Sequence, residues 1–203
     1  TPTGRQKTSD NLNARGVPQG LSISNILASI YLTDIDKTLS SDSAINYFRF
    51  VDDILIIASN ARVDELEKSV PSLLKQQRKL KCHPVGKGSK SVKINLKEGV
   101  EYLGYKFCID KIEVRSSSLK KMFANLMKIV TAMKYKKNRG RLIWRLNLRI
   151  SGCQMKSRRI GWLFFFSQSK NLQQLKQLDA FVSKHTSKVL PPSDQAKLKR
   201  FVK

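Results

Sequence analysis

Two adjacent aspartates interrupt the most apolar part of the chain, and this pair constrains the fold more than any other feature. Val51, Asp52 and Asp53 lie between Ile45–Phe50, which is rich in aromatic and β-branched residues, and the wholly apolar residues 54–58. This pattern predicts a β-hairpin with a tight acidic turn. An apolar strand gains nothing from two crowded carboxylates, whereas a bound divalent cation would relieve their repulsion. The pair therefore indicates a Mg²⁺ or Mn²⁺ site, or else a turn whose aspartates face water.

The charge of the chain points to a polyanionic partner. The formal net charge is +24, from 39 Lys and Arg against 15 Asp and Glu. Nucleic acid is the favoured partner, because neutralising its phosphates releases counterions. A merely basic protein is the plainer alternative, and a membrane-surface binder is a weaker one, because the charge is spread along the whole chain. The longest apolar runs, at 54–58 and 162–166, are far shorter than the roughly 20 residues of a membrane span, so we expect no membrane partner.

The cysteines and histidines predict neither a disulfide framework nor a zinc site. Cys82, Cys108 and Cys153 are odd in number and far apart in sequence, which favours free thiols in a reducing compartment, the cytoplasm. His83 and His185 are too few and too scattered to ligate zinc.

The remaining periodicity alternates between helix and strand, which predicts an α+β fold. Apolar spacing predicts a helix from about residue 22 to 39 and another over 61–82, which Pro71 kinks or splits. Two or three short strands are expected, at 92–96, 101–108 and 109–114. The serines at 116–118 mark the best boundary, because the sequence beyond them has a helical and basic pattern throughout.

Three motifs follow one another in the first half of the chain. They are Gly16-Val17-Pro18-Gln19-Gly20 ahead of the first predicted helix, Phe50-Val51-Asp52-Asp53 in the hairpin, and Tyr102-Leu103-Gly104-Tyr105. In this order and at this spacing they resemble three consecutive palm motifs of the reverse transcriptase family. The resemblance implies that residues 1–115 form part of a polymerase palm, an antiparallel sheet with packed helices, and that residues 116–203 form an α-helical thumb.

The resemblance also implies a role for each motif residue. Asp52 would bind the catalytic Mg²⁺ or Mn²⁺ ions and Asp53 would support them. The residues implied to line the nucleotide and template pocket are Gln19, Gly20, Phe50 and Val51, and those implied to form the primer grip are Leu103, Gly104 and Tyr105. A lysine between these motifs would act as general acid: Lys90 is the first choice and Lys87 the second. Phe50 replaces the Tyr that is commoner in the family, which removes a hydroxyl but keeps the aromatic ring.

The implied reaction is attack of a primer 3′-hydroxyl on the α-phosphate of a deoxynucleoside triphosphate, directed by an RNA template and yielding DNA. The family needs a third carboxylate on an earlier strand, and no residue fits. Asp10 lies in a polar stretch, while Asp34 and Asp36 lie on the helix after the first motif, where a solvated helix end is expected. We therefore expect the chain to be the carboxyl-terminal part of a polymerase. The fingers and the third carboxylate would come from another segment or another chain.

A basic stripe supports the thumb assignment independently. Lys137, Arg141, Arg145 and Arg149 recur every four residues, which places them on one face of a helix. Without interleaved acids they favour a track for nucleic-acid phosphates over a solvated face. A second basic cluster is formed by Lys156, Arg158 and Arg159. The aromatic residues at 162–166 are expected in the core of the helical bundle, in preference to the alternative of a base-stacking platform.

Several branches of the family fit the remaining sequence. Residues 146–153 and 161–168 resemble defence-associated bacterial enzymes, which predicts a role in antiphage defence and a structured non-coding RNA as a further candidate partner. Group II intron and retron enzymes are alternatives. So is a catalytically inactive palm that binds nucleic acid as a subunit, although the intact acidic pair argues against it. An RNA-dependent RNA polymerase is disfavoured because Gly-Asp-Asp is usual there.

Overall fold

The computed structural model describes residues 21–86, 88–135 and 138–202. The chain divides into two compact units, residues 1–93 and 94–203, and the described parts are α+β, as the sequence predicts. This division lies upstream of the palm–thumb boundary at residues 115–116, which stays a prediction.

The first unit is a two-stranded antiparallel hairpin with helices against it. Its elements are α1 (Ser24–Tyr31), α2 (Thr33–Ser40), β1 (Ile45–Phe50), β2 (Asp53–Ala58) and α3 (Asn60–Arg78). The hairpin prediction is confirmed, with Ile45 opposite Ala58 and Phe50 opposite Asp53. The core is formed by apolar side chains of α2, β1 and α3, with Ile35 and Leu74 most deeply buried.

One helix prediction for this unit is wrong, and one of the two alternatives for the other is excluded. The helix expected from residue 22 to 39 is broken at Leu32, which leaves helical geometry while its side chain is buried in the core. Ile26 and Ile30 on α1 are exposed. In α3, Pro71 lies inside one helix and does not split it, and the helix ends at Lys79 in a left-handed conformation.

The second unit begins with a small antiparallel meander. The strands are β3 (Val100–Tyr102), β4 (Tyr105–Phe107) and β5 (Ile112–Val114), preceded by a 3-10 turn at Leu96–Glu98. The strand expected at 92–96 does not form, and the one expected at 101–108 folds back on itself. The reason lies at Leu103 and Gly104, which both have positive φ and make the two-residue turn that joins β3 to β4.

The rest of the second unit is a helical bundle interrupted by a hairpin. Its elements are α4 (Ser116–Tyr135), α5 (Arg139–Ser151), β6 (Cys153–Met155), β7 (Arg158–Ile160), α6 (Trp162–Phe165), α7 (Leu172–Thr186) and α8 (Pro192–Gln195). The expectation that everything after residue 116 is helical is therefore wrong. The core joins α4, α5 and α7, with Leu126, Leu146 and Leu178 fully buried. No helix in the described ranges is long and apolar enough to cross a membrane.

Two glycines in backbone contact close the base of the β6–β7 hairpin. Gly152, with φ +67°, ends α5, and a Cβ there would lie 2.3 Å from the carbonyl oxygen of Ile160. A Cβ on Gly161 would lie 2.6 Å from the Cα of Gly152. Only residues without side chains allow this approach, so the pair fixes the hairpin against the end of α5.

Polar side chains hold the carboxyl-terminal segment on the bundle. Asn147 donates to the carbonyl of Lys197 at 2.8 Å and accepts from the backbone N–H of Lys199 at 2.8 Å. The Asp179 carboxylate accepts from the N–H groups of Phe201 and Val202. These contacts seat the buried ring of Phe201 against the bundle core.

Candidate functional site

The acidic turn is the tip of the β1–β2 hairpin. Phe50 and Asp53 are directly opposite, so Val51 and Asp52 form a two-residue connection. The carboxylates of Asp52 and Asp53 are exposed there. Asp52 lies in the turn and Asp53 is the first residue of β2, so both acids stand at the end of the apolar segment and not within it.

The backbone of this turn is strained, and a buried arginine supports it. Val51 has φ 58°, a conformation that is rare for a β-branched residue and costs roughly 1–3 kcal/mol. Arg49 donates from Nη1 to the Val51 carbonyl at 2.8 Å, and its side chain is only 8% exposed. Strained turns persist when their surroundings determine them, and they concentrate at functional sites.

Asp36 on α2 anchors that arginine. Its Oδ1 accepts from Arg49 Nε at 2.7 Å and from the Tyr47 hydroxyl at 2.7 Å, and its Oδ2 pairs with Arg49 Nη2. The hydrogen bond from Arg49 holds the pKa of the Asp36 carboxyl below its usual value. Burial, together with the Asp36 carboxylate, raises the pKa of Tyr47. The expectation of a solvated helix end is thus wrong for Asp36.

Asp36→Asn should destabilise the first unit by about 2–3 kcal/mol at pH 7, because Arg49 loses the charge that compensates its burial. The folded-state pKa of Asp36 is lowered, so its contribution is present above the unfolded value near pH 4 and is lost as the pH falls through the folded value. Urea unfolding of parent and variant should therefore differ at pH 7 and converge in acid.

Asp34→Asn is the matched control for this change. Asp34 lies on the same helix and pairs with Arg78, but its side chain is 66% exposed. A surface pair of this kind is worth about 0–1 kcal/mol. Equal losses in the two variants at pH 7 would show that Asp36 is only another surface partner.

The hairpin presents an aromatic face beside the acidic turn. Phe48 and Phe50 are both exposed, and alternation places them on the face opposite Tyr47 and Arg49. Asp53 is the cross-strand partner of Phe50, so their side chains share that face. The Asp53 carboxylate could contact a cation bound to phosphate, and the exposed Phe50 ring beside it could contact a base or a sugar. The pair therefore suits a ligand that carries both.

The carboxylate oxygens of Asp52 and Asp53 suit a hard divalent cation, but they can supply only some of its ligands. Asp52 and Asp53 are carboxylates of the type that Mg²⁺ and Mn²⁺ prefer. Within the described ranges, no three His, Cys, Asp or Glu side chains come together in a metal-binding group. Two acids on one turn can therefore supply part of a coordination shell, and the remaining ligands must come from elsewhere.

Of the predicted nucleotide-pocket and general-acid residues outside the hairpin, the structure describes only Lys90. Lys90 is exposed on a loop closed by hydrogen bonds between the backbones of Gly86 and Ser91 and from the Ser89 hydroxyl to Pro84. Its role as general acid stays a prediction. The residues Gln19, Gly20, Lys87 and Lys137 lie outside the described residues.

The predicted primer grip is the β3–β4 turn. Leu103 is exposed, and Gly104 has φ +86°, where a Cβ would lie 3.3 Å from the ring of Phe166. Tyr105 is buried against Val114 and Phe166, and its hydroxyl donates to the Phe165 carbonyl. Tyr105 thus supports the turn from behind, and its contact with a primer stays a prediction.

The basic stripe lies on the outer face of α5. Arg141, Arg145 and Arg149 are exposed, while Leu142, Ile143, Leu146 and Ile150 of α5 are buried in the bundle. No Asp or Glu occurs between Glu113 and Asp179. The stripe therefore has no acidic neighbours along the chain, which favours contact with phosphates.

Sequence reasoning missed three positioning residues and a hairpin. Asp36, Tyr47 and Arg49 hold the acidic turn, and the only signal was a charged residue inside an otherwise aromatic strand. The β6–β7 hairpin was missed because its turn, at Lys156 and Ser157, has neither Gly nor Asn, although Lys156 has φ 53°.

A comparison with protein families gives a match. A family model described as reverse transcriptase (RNA-dependent DNA polymerase) matches residues 3–107. This range contains the acidic turn, the closed loop with Lys90 and the β3–β4 turn. No curated protein matches the chain.

Proposed function

The chain belongs to the reverse transcriptase family, and we propose that it catalyses addition of deoxynucleotides to a primer 3′-hydroxyl on an RNA template. The family implies an RNA template, a DNA product and deoxynucleoside triphosphates, and its enzymes use divalent cations such as Mg²⁺. The observation that carries the proposal is the exposed pair Asp52 and Asp53 on a strained hairpin turn that Arg49 and Asp36 hold in place.

The acidic turn would bind the catalytic cations. Two Mg²⁺ ions, when bound, lower the pKa of the attacking hydroxyl and neutralise the leaving pyrophosphate. Asp52 would hold them from the tip of the turn, and Asp53 would support them from the first position of β2. The neighbouring ring of Phe50 and the backbone of Val51 would contact the incoming nucleotide, together with Gln19 and Gly20. Lys90 would donate a proton to the departing pyrophosphate.

A third carboxylate completes this proposed site. Two acids on adjacent positions cannot surround two cations, because each Mg²⁺ takes about six oxygen ligands. We propose that a carboxylate from the fingers and first catalytic strand, on another segment or another chain, lies within bridging distance of Asp52.

The outer face of α5 would follow the backbone of the template–primer duplex. Arg141, Arg145 and Arg149 are one helical turn apart, about 6 Å along the axis, which is close to the spacing of phosphates along one strand. The β3–β4 turn, with Leu103 and Gly104 at its tip, would hold the primer end. Contacts of this kind position the substrate and carry no sequence information.

Replacing Arg145 and Arg149 by Ala should weaken duplex binding about equally for all sequences. The salt dependence of the affinity should flatten by about 0.9 log units for each lost phosphate contact. Nucleotide incorporation at saturating duplex should change little. The measurement is affinity against salt concentration for the double variant and the parent.

Lys184 and Lys188 provide a control in the same unit, on α7 and just after it. Their double Ala variant removes the same charge away from the stripe and should keep more of the parental slope. Parental slopes in the arginine variant would show that the stripe faces only water.

The biological role depends on which branch of the family the chain belongs to. We propose a role in bacterial antiphage defence, in the cytoplasm, with a structured non-coding RNA as a further partner. The support is the similarity of residues 146–153 and 161–168 to defence-associated enzymes, and the three free cysteines Cys82, Cys108 and Cys153. A group II intron or retron enzyme is the alternative within the family.

Primer extension tests the proposed activity directly. The intact protein with Mg²⁺, a primed RNA template and deoxynucleoside triphosphates should extend the primer, and omission of Mg²⁺ should stop extension. Tight duplex binding without extension under any divalent cation would instead establish the alternative, a catalytically inactive palm that binds nucleic acid as a subunit.

A further inference from the structure

An open groove of about 550 Å³ lies between the end of α5, the strand β7 and the helix α6. Arg149 and Arg159 line it together with the aromatic side chains of α6 and the adjoining Phe166. Its location is defined by the close contact of Gly152 and Gly161, which fixes the hairpin beside α5. The groove is thus built by backbone geometry within the second unit.

The aromatic side chains around the groove have different roles. Phe166 is buried, and Trp162 packs against the bundle core, as the sequence predicted for residues 162–166. Phe165, in contrast, is 61% exposed. Its ring lies 4.8 Å from Phe166 and 6.3 Å from Tyr105 between centroids. The ring is therefore held from behind and open to solvent in front.

The polar part of the groove is cationic. Arg159 places its guanidinium 5.8 Å from the ring centroid of Phe164, and Arg149 is the last member of the α5 stripe. No acidic residue lines the groove, and none occurs in the sequence from Val114 to Leu178. The groove therefore combines an exposed aromatic platform with two cations that have no acidic competitor.

We propose that this groove binds an unpaired nucleotide of single-stranded nucleic acid, with its base on Phe165 and its phosphate between Arg149 and Arg159. The inference rests on the proposed function, because it assigns a further contact of the same nucleic acid. Stacking on aromatic rings together with basic side chains is the usual chemistry of single-strand binding. A base in a duplex is stacked on both faces and cannot offer a free face to Phe165. An acidic peptide would satisfy the arginines but would leave the ring without a partner.

Base preference is the test of the stacking contact. The intact protein is titrated with an eight-nucleotide oligo(dT) and with the same backbone lacking bases, using fluorescence anisotropy. The parent should prefer the oligonucleotide with bases, and Phe165→Leu, which keeps apolar bulk, should lower that preference roughly tenfold. Tyr135→Leu is the matched control, because Tyr135 is an exposed aromatic of the same unit at the end of α4.

Two further measurements separate the contributions of ring and charge. With Trp144 replaced by Phe, oligo(dT) should quench Trp162, the remaining tryptophan and a lining residue of the groove. Arg159→Gln should flatten the single-strand salt slope by about 0.7 log units, more than Arg158→Gln, which alters the neighbouring position on the other face of β7.

The outcomes distinguish this inference from the proposed function. Unchanged base preference in Phe165→Leu, with normal binding of primer–template duplex, overturns the groove alone. Binding of polyglutamate as tightly as oligo(dT) overturns the nucleic-acid occupant. A parent that binds neither single strand nor duplex overturns both proposals.

Discussion

Asp52→Asn should reduce nucleotide incorporation by about a thousandfold or more. Each factor of ten corresponds to 1.36 kcal/mol of transition-state stabilisation, and loss of a carboxylate that holds catalytic cations removes several kcal/mol. The measurement is single-turnover extension of a primed RNA template at saturating Mg²⁺ and deoxynucleoside triphosphate. Saturating conditions separate the chemical step from weaker substrate binding.

The same substitution should leave the fold intact. Asp52 is exposed at the tip of the hairpin, and surface changes of this kind usually alter stability by no more than about 0.5 kcal/mol. Asp110→Asn is the control, because Asp110 is an exposed aspartate of the loop between β4 and β5. Parental incorporation by Asp52→Asn would reduce Asp52 to an ordinary turn residue.

Gly152→Ala should cost the second unit about 3–5 kcal/mol of stability. The residue has φ 67° and ψ −165°, a region that is almost restricted to glycine and costs about 1–3 kcal/mol for other residues. The new Cβ would also lie 2.3 Å from the Ile160 carbonyl oxygen, and overpacking of this kind costs about 1–3 kcal/mol. Urea unfolding monitored by Trp144 and Trp162 measures the loss.

Gly140→Ala is the control, because this substitution should raise stability and not lower it. Gly140 lies in the first turn of α5, where a Cβ would meet no atom within 4 Å, so alanine should stabilise by about 0.5–1 kcal/mol. A Gly152→Ala variant as stable as Gly140→Ala would mean that the hairpin is not pinned at its base. The groove beside Phe165 would then lose its structural basis.

The acidic hairpin was predictable because its signals are local. The apolar segments on either side of Asp52 and Asp53 fix two strands, and the structure places β1 at Ile45–Phe50, as predicted. The support of the turn was not predictable in the same way. Asp36 lies 13 residues from Arg49, and nothing in either segment indicates that the two side chains meet.

The spacing of apolar residues could not show which helix is buried or where the backbone turns, because contacts with residues in other segments determine both. The spacing of Ile26 and Ile30 is helical, but the break at Leu32 directs α2 to the core and leaves α1 exposed. In the basic region, Lys156 adopts a left-handed conformation without the usual glycine or asparagine. The sequence therefore contained no sign of the β6–β7 turn. The exposure of Phe165, which follows this hairpin, was not predicted either.

Counting bound metal ions tests the role of the acidic turn most directly. Mn²⁺ binding is followed by electron paramagnetic resonance in the complex of intact protein, primer–template duplex and a nonhydrolysable deoxynucleotide analogue. The parent should bind two Mn²⁺ ions that Mg²⁺ displaces, and Asp52→Asn should lose at least one of them along with incorporation. Equal Mn²⁺ binding by parent and Asp52→Asn, with incorporation unchanged, would contradict the assignment of Asp52 as a ligand of the catalytic cations.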